Sequence, residues 1–94
     1  MAVDLYVRFP HIRKMVATIR TKRHKQLVEA ILAERKQAGI RQIPLAKKLK
    51  RSQTWIARIE SGERRIDVVE FLELADAIGF DAPAMLAMLA RTQK

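Results

Sequence analysis

Apolar residues recur at spacings of three and four along most of this chain, with charged residues between them. That spacing places the apolar side chains on one face of an α-helix. Residue types that favour helix starts and stops divide the pattern, since Ser52, Asp67 and Asp81 can cap helix N-termini and Gly39 can adopt the left-handed backbone that ends a helix. The sequence therefore predicts an all-α fold of five helices. They are predicted over residues 25–38, 42–50, 52–61, 68–78 and 82–91.

The apolar residues of the last two predicted helices give expectations about packing. In the fourth helix the spacing predicts five inward-facing residues: Val68, Phe71, Leu72, Ala75 and Ile78. The fifth helix has a stripe of Met and Leu over residues 85–89, which is more typical of a helical core or a subunit contact than of a ligand pocket. We expect this helix to supply a dimer surface.

The first 24 residues follow a different pattern. Apolar and polar residues alternate over positions 3–9 until Pro10, as in a β-strand. A lone strand is marginal in water, so this segment must pair with something, such as its copy in a dimer, or stay mobile. Met15 could also be the natural start. We therefore predict an extended or mobile extension over residues 1–24 and a folded domain over residues 25–91.

Charge is unevenly distributed along the 94 residues. The chain has 19 Lys and Arg against 10 Asp and Glu, a formal net charge of +9. Residues 41–65 contain eight basic and two acidic residues, whereas residues 66–94 contain two basic and five acidic ones. A folded chain with this distribution has one basic face, which attracts a polyanion, and nucleic acid is the leading candidate.

Composition also disfavours several classes of protein. The chain has no cysteine and only two histidines, which have no ligand spacing, so we expect neither a redox site nor a metal site. No nucleophile has a partnered base and no glycine-rich phosphate loop is present, so we expect no catalysis and no cofactor. No apolar run reaches the roughly 18–20 residues of a membrane span, and no signal peptide is visible. We expect a soluble, cytoplasmic protein.

Residues 42–61, QIPLAKKLKRSQTWIARIES, require two short helices to cross with almost no linker. A small residue, Ala46, is available where the helices meet, and aliphatic residues flank it in both helices. With these residues the chain resembles the helix-turn-helix family of phage Cro and repressor proteins, also called XRE, over about residues 25–90. The resemblance is carried by GIRQIPLAKKL, SQTWIARIESGE and ERRIDVVEFLELADAIGFD. It implies a five-helix, lambda-repressor-like domain whose residues 52–61 enter the major groove of double-stranded DNA.

The resemblance assigns roles to individual residues. Base-reading positions are occupied by Gln53, Thr54 and Arg58, whose side chains suit adenine, thymine and guanine respectively. Arg35 and Glu60 match an ion pair that braces the family's fold. Phosphate-contacting positions fall on six residues: Gln42, Lys50, Arg51, Ser52, Arg64 and Arg65.

Three positions depart from the family's pattern and one residue allows two readings. Arg41 stands where Ser or Thr commonly caps the second helix, Lys50 where the turn often has a left-handed Gly, and Arg51 where an apolar residue is frequent. We expect a less stable turn as a result. Trp55 could stack on a base, but its position beside inward-facing isoleucines favours packing.

The resemblance favours a bacterial or phage transcription regulator, most simply a repressor, that binds a palindromic operator as a homodimer through helix 5 or the N-terminal extension. Three alternatives use the same fold. An antitoxin would repress its own operon and block a toxin partner with the first 24 residues. A restriction–modification controller would bind DNA in the same way, and a scaffold would use the fold to bind protein instead.

Overall fold

The computed structural model describes residues 21–92 of the chain. Over that range the chain forms five α-helices and no strand, which confirms the predicted all-α fold. The hypothesis of an N-terminal strand falls on residues outside this range. The helices are α1 (Lys22–Gln37), α2 (Gln42–Lys48), α3 (Gln53–Glu60), α4 (Val68–Ile78) and α5 (Ala82–Arg91).

Side-chain caps that the sequence predicted fix where three of these helices begin. The Ser52 hydroxyl accepts a hydrogen bond from the N–H three residues on, and Asp81 does the same for α5. Asp67 accepts from the N–H of Glu70, whose carboxylate in turn accepts from the N–H of Asp67, so the two complete a capping box. All three caps match the prediction. Arg41, in contrast, makes no side-chain cap for α2.

Two helix boundaries differ by more than one residue from those predicted. The first helix begins at Lys22 and not at Lys25, because the Thr21 hydroxyl caps it by accepting from the N–H of His24 at 3.1 Å. The last residues of the predicted extension over 1–24 therefore belong to the helical domain. The second helix ends at Lys48, short of the predicted residue 50, because Lys50 adopts the left-handed region with φ of 56° and turns the chain.

The core is aliphatic and centres on α3. Ala46 is 3% exposed, as expected of a small residue where α2 meets α3. The Phe71 and Phe80 rings pack edge to face on each other, with centroids 5.6 Å apart. Phe71 belongs to the core and Phe80 packs against it. The most deeply buried side chains, each 1% exposed, are Ile31, Leu45, Ile56, Ile59 and Leu74.

The predicted inward face of α4 is wrong at two positions. Val68 and Leu72 are 72% and 46% exposed, whereas Glu70 is buried. The helix is rotated from the predicted orientation because Glu70 takes an interior position, where its carboxylate has hydrogen-bond partners. On α5 the structure buries Met85 and Leu89 in the core and leaves Leu86 exposed, so only part of the predicted stripe is available for a subunit contact.

Candidate nucleic-acid interface

The exposed face of α3 brings together the three residues predicted to read bases. Gln53, Thr54 and Arg58 are all exposed, while Ile56 and Ile59 anchor the opposite face of the helix in the core. The helix has eight residues, and an α-helix with its side chains is about 10–12 Å in diameter, which fits a major groove about 12 Å wide. The three side chains line one shallow depression together with Ala57, Ser61 and Glu63.

Glu63 is a member of this surface that the sequence analysis missed. It is an exposed acid in the depression beside Arg58. A carboxylate repels phosphate but can accept a hydrogen bond from the amino group of cytosine. Its position just after the helix gave no periodic signal that would have placed it on the same surface.

Gln42 connects this surface to the interior of the domain. Its Nε2 donates to Glu60 Oε1 at 2.8 Å, and its Oε1 accepts from Gln53 Nε2 at 3.3 Å. Gln42 is half-buried, so it is placed to orient Gln53 as well as to approach a phosphate. The sequence analysis missed this coupling, because the two glutamines lie on different helices.

The predicted ion pair is present and holds α3 to α1. Arg35 Nε lies 2.5 Å from Glu60 Oε2, and Arg35 Nη2 donates to Glu60 Oε1 at 3.0 Å. The side chains are only 11% and 7% exposed, respectively. Arg35 Nη1 also donates to the carbonyl oxygen of Ile40 at 2.8 Å, which ties the pair to the connection between α1 and α2. The pair therefore fixes the orientation of the helix that displays Gln53 and Arg58.

The residues predicted to contact phosphates lie at both ends of α3. Lys50, Arg51 and Ser52 precede its N-terminus and are exposed. Arg64 and Arg65 follow its C-terminus, where Arg65 is exposed and Arg64 is half-buried. Beyond Arg65 the charged side chains are mostly acidic, and the exposed acidic ones are Asp67, Asp76 and Asp81. The surface around α3 is therefore the basic part of the described domain.

Comparison with known proteins decides the family. A family model described as a helix-turn-helix domain matches residues 26–89. The chain belongs to this helix-turn-helix family. A solved structure described as an XRE-family like protein from Pseudomonas syringae pv. tomato str. DC3000 is 38% identical in sequence, with a TM-score of 0.73 over 81% of this chain and 93% of that one. No curated protein matches the chain.

The membership of the XRE helix-turn-helix family that the sequence predicted is thereby confirmed. This chain is an XRE-type helix-turn-helix DNA-binding protein. None of the helices in the described range is both long enough and apolar enough to span a membrane.

A cluster around Trp55 connects the turn before α3 to the loop after it. Trp55 is half-buried and packs against the core, as predicted. The guanidinium carbons of Arg51 and Arg64 lie 4.7 and 5.2 Å from the centroid of its ring, within the range of cation–π attraction. Its buried Nε1 has no acceptor among the described residues, and the two arginines contact the face of the ring.

Glu70 completes this cluster from α4. Arg64 Nη1 and Nη2 donate to the two carboxylate oxygens of Glu70 at 2.9 and 2.8 Å. These hydrogen bonds hold the pKa of Glu70 below its ordinary value and offset the effect of its burial. This pair could not be predicted from the sequence, because Arg64 and Glu70 are separated by a loop and share no helical spacing. The structure therefore gives Arg64 an internal partner in addition to its predicted place near phosphate.

Proposed function

We propose that this XRE-type protein is a transcriptional regulator, most simply a repressor, which acts by binding operator DNA and without catalysis or a cofactor. One observation carries the proposal: Gln53, Thr54 and Arg58 are exposed together on a helix whose opposite face is locked in the core. Such a helix can enter a major groove without any rearrangement of the domain. A bound regulator that covers a promoter blocks transcription simply by occupying it.

In this proposal some side chains contact bases and others contact phosphates. Arg58 has the fork of donors that matches the O6 and N7 of guanine, and Gln53 can pair in a bidentate way with adenine. Lys50, Arg51 and Arg65 contact phosphates on either side of the groove and fix the register of α3 without specifying sequence. Thr54 offers its methyl group or hydroxyl to thymine.

We further propose that the protein binds as a homodimer to two half-sites. A two-fold operator places its half-sites about 34 Å apart, so two copies of α3 must be held at that separation. Exposed apolar side chains are available for such a contact on α5, at Leu86, and on α4, at Val68 and Val69. Sedimentation of the protein with and without operator DNA tests this, and a monomer in both samples at micromolar concentration would refute it.

The decisive experiment begins with selection of bound sites from a random pool of duplex DNA. Arg58→Ala is then compared with Arg91→Ala, which removes the same charge from the exposed end of α5. We expect Arg58→Ala to cost about 1–3 kcal/mol on the selected site and to relax base preference at one position, while Arg91→Ala binds nearly as the wild type does. If Arg58→Ala bound the selected site as tightly as Arg91→Ala, α3 would not be the reading helix. A protein-binding scaffold would then be the better interpretation.

A further inference from the structure

Four side chains form a continuous cluster at the edge of the proposed DNA-binding surface. Arg51 comes from the turn before α3, Trp55 from α3, Arg64 from the following loop and Glu70 from α4. Both guanidinium groups lie over the Trp55 ring, and both face the same oxygen of Glu70, with Arg64 Nη2 at 2.8 Å and Arg51 Nη2 at 3.9 Å from Oε2. Two positive charges and one negative charge leave the cluster with a net positive charge.

The hydrogen bonds of Arg64 leave one particular edge of its guanidinium available. A guanidinium has five N–H donors, two on each Nη and one on Nε. Nη1 uses both of its donors, on Glu70 Oε1 at 2.9 Å and on the carbonyl oxygen of Arg65 at 2.8 Å, and Nη2 uses one on Glu70 Oε2. The donors left over are Nε–H and one Nη2–H, for which no described residue supplies an acceptor. These two lie on the same side of the group and can bond two oxygens of a phosphate.

Arg64 is more exposed than Glu70, as a contact between Arg64 and a phosphate requires. The Glu70 side chain is 9% exposed, whereas the Arg64 side chain is 35% exposed. The carboxylate is thus shielded behind the arginine, and the arginine presents its unused edge toward solvent. The Trp55 ring lies against the guanidinium, whose carbon is 5.2 Å from the ring centroid, and so limits the orientations open to Arg64.

We propose that Glu70 is a positioning residue for DNA binding, which together with Trp55 holds Arg64 ready to bond a backbone phosphate beside the C-terminal end of α3. This inference rests on the proposed function, since it concerns the same surface and the same DNA. The opposite effect would be competition, in which the negative charge of Glu70 keeps Arg64 away from phosphate. The two effects predict opposite signs for removal of the charge, so a single substitution separates them.

The test compares Glu70→Gln with Glu73→Gln. Both remove one negative charge from α4, and Glu73 pairs with neither arginine. Gln at position 70 retains an oxygen that can accept from the N–H of Asp67, so the capping box is kept. Binding of a fluorescent duplex that contains the selected site is measured by anisotropy over a series of salt concentrations.

We expect Glu70→Gln to weaken binding roughly 2–10-fold, because Arg64 must then be ordered on binding, and Glu73→Gln to bind as tightly as the wild type or slightly more so. The slope of log K against log salt should become shallower by up to about one unit in Glu70→Gln only, since one phosphate contact is impaired. A purely structural role for Glu70 would lower thermal stability without changing this slope. Binding by Glu70→Gln equal to or tighter than that of Glu73→Gln would overturn the proposal.

A second arm removes the dependence on how well Glu70→Gln folds. Arg64→Lys keeps the positive charge beside Glu70 but loses the fork of donors, so it should weaken binding by a similar factor. In a double-mutant cycle, Glu70→Gln should no longer weaken binding in an Arg64→Ala background, because Glu70 acts through Arg64. Wild-type affinity in Arg64→Lys, or additive effects in the cycle, would refute the proposal. Failure of the wild type to bind any duplex would instead overturn the proposed function itself.

Discussion

The ion pair between Arg35 and Glu60 determines how firmly α3 is held against α1. Both side chains are almost fully buried, and Glu60 also accepts a hydrogen bond from Gln42 at 2.8 Å. Substitution of Glu60 by Ala removes the acceptor of three donors at once. It leaves the guanidinium of Arg35 with only the carbonyl oxygen of Ile40 as a partner.

The expected loss is large relative to the stability of such a domain. Removing one partner of a buried pair costs about 3–5 kcal/mol, because the remaining charge is buried without compensation. A domain of about 70 residues has a free energy of unfolding of roughly 4–10 kcal/mol. Glu60→Ala should therefore leave the domain barely folded, or unfolded, before any change in DNA specificity can be measured.

The assay is urea denaturation followed by the fluorescence of Trp55, the single tryptophan, and by circular dichroism. With an m value of about 1 kcal/mol/M for a chain of this size, the midpoint should fall by roughly 3 M or more. The double variant Arg35→Met with Glu60→Leu removes both charges and should recover most of the loss. If the double variant were destabilised by as much as the sum of the single variants Arg35→Met and Glu60→Leu, a buried charge without compensation would not explain the loss. A midpoint shift below about 0.5 M for Glu60→Ala would equally refute that explanation, because the pair would then be no stronger than one at the surface.

Two further predictions concern the turn and the pH dependence. Lys50→Gly should raise the urea midpoint by an amount that corresponds to about 1 kcal/mol, because φ of 56° strains a residue with a Cβ, and a lowered midpoint would contradict this. Burial lowers the pKa of His24 and the nearby charge of Arg65 lowers it further, while a hydrogen bond with the Gly62 backbone acts in the opposite direction. The folded state therefore favours neutral His24, so stability should be complete above the ordinary pKa of 6.5 and fall as the pH drops through the lowered value. His24→Gln should remove this decline below about pH 6.5 in thermal unfolding, and an unchanged pH profile would show that another group is responsible.

Local signals in the sequence were sufficient to predict the five helices, whereas the base-reading residues were assigned from the family resemblance. Caps at Ser52, Asp67 and Asp81 act through hydrogen bonds to residues three positions away, so the residue type and the spacing together predict them. Gln53 and Arg58 point outward because Ile56 and Ile59, three positions apart, bury the opposite face of α3. The Arg35 and Glu60 pair was predicted from the family resemblance and not from spacing.

Contacts between polar residues on different elements could not be predicted from helical periodicity. Helical periodicity measures only how apolar a face is, so it predicted an inward Val68 and could not anticipate a buried Glu70. The charge of Glu70 is tolerated inside because Arg64 and the N–H of Asp67 compensate it. The pairing of Gln42 with Gln53 likewise depends on the crossing of two helices, which brings together side chains that the sequence places far apart.

The hydrogen bonds around Glu60 join the stability of the domain to the orientation of its reading residues. Arg35 holds Glu60, Glu60 holds the amide of Gln42, and Gln42 in turn accepts from Gln53. A side chain that is already oriented loses less conformational freedom when it binds, so this relay lowers the entropic cost of a base contact by Gln53. It follows that a substitution at Gln42 should weaken recognition at the base that Gln53 contacts, even where Gln42 itself touches no base. Within the proposed function, specificity at that base is a property of three helices and not of α3 alone.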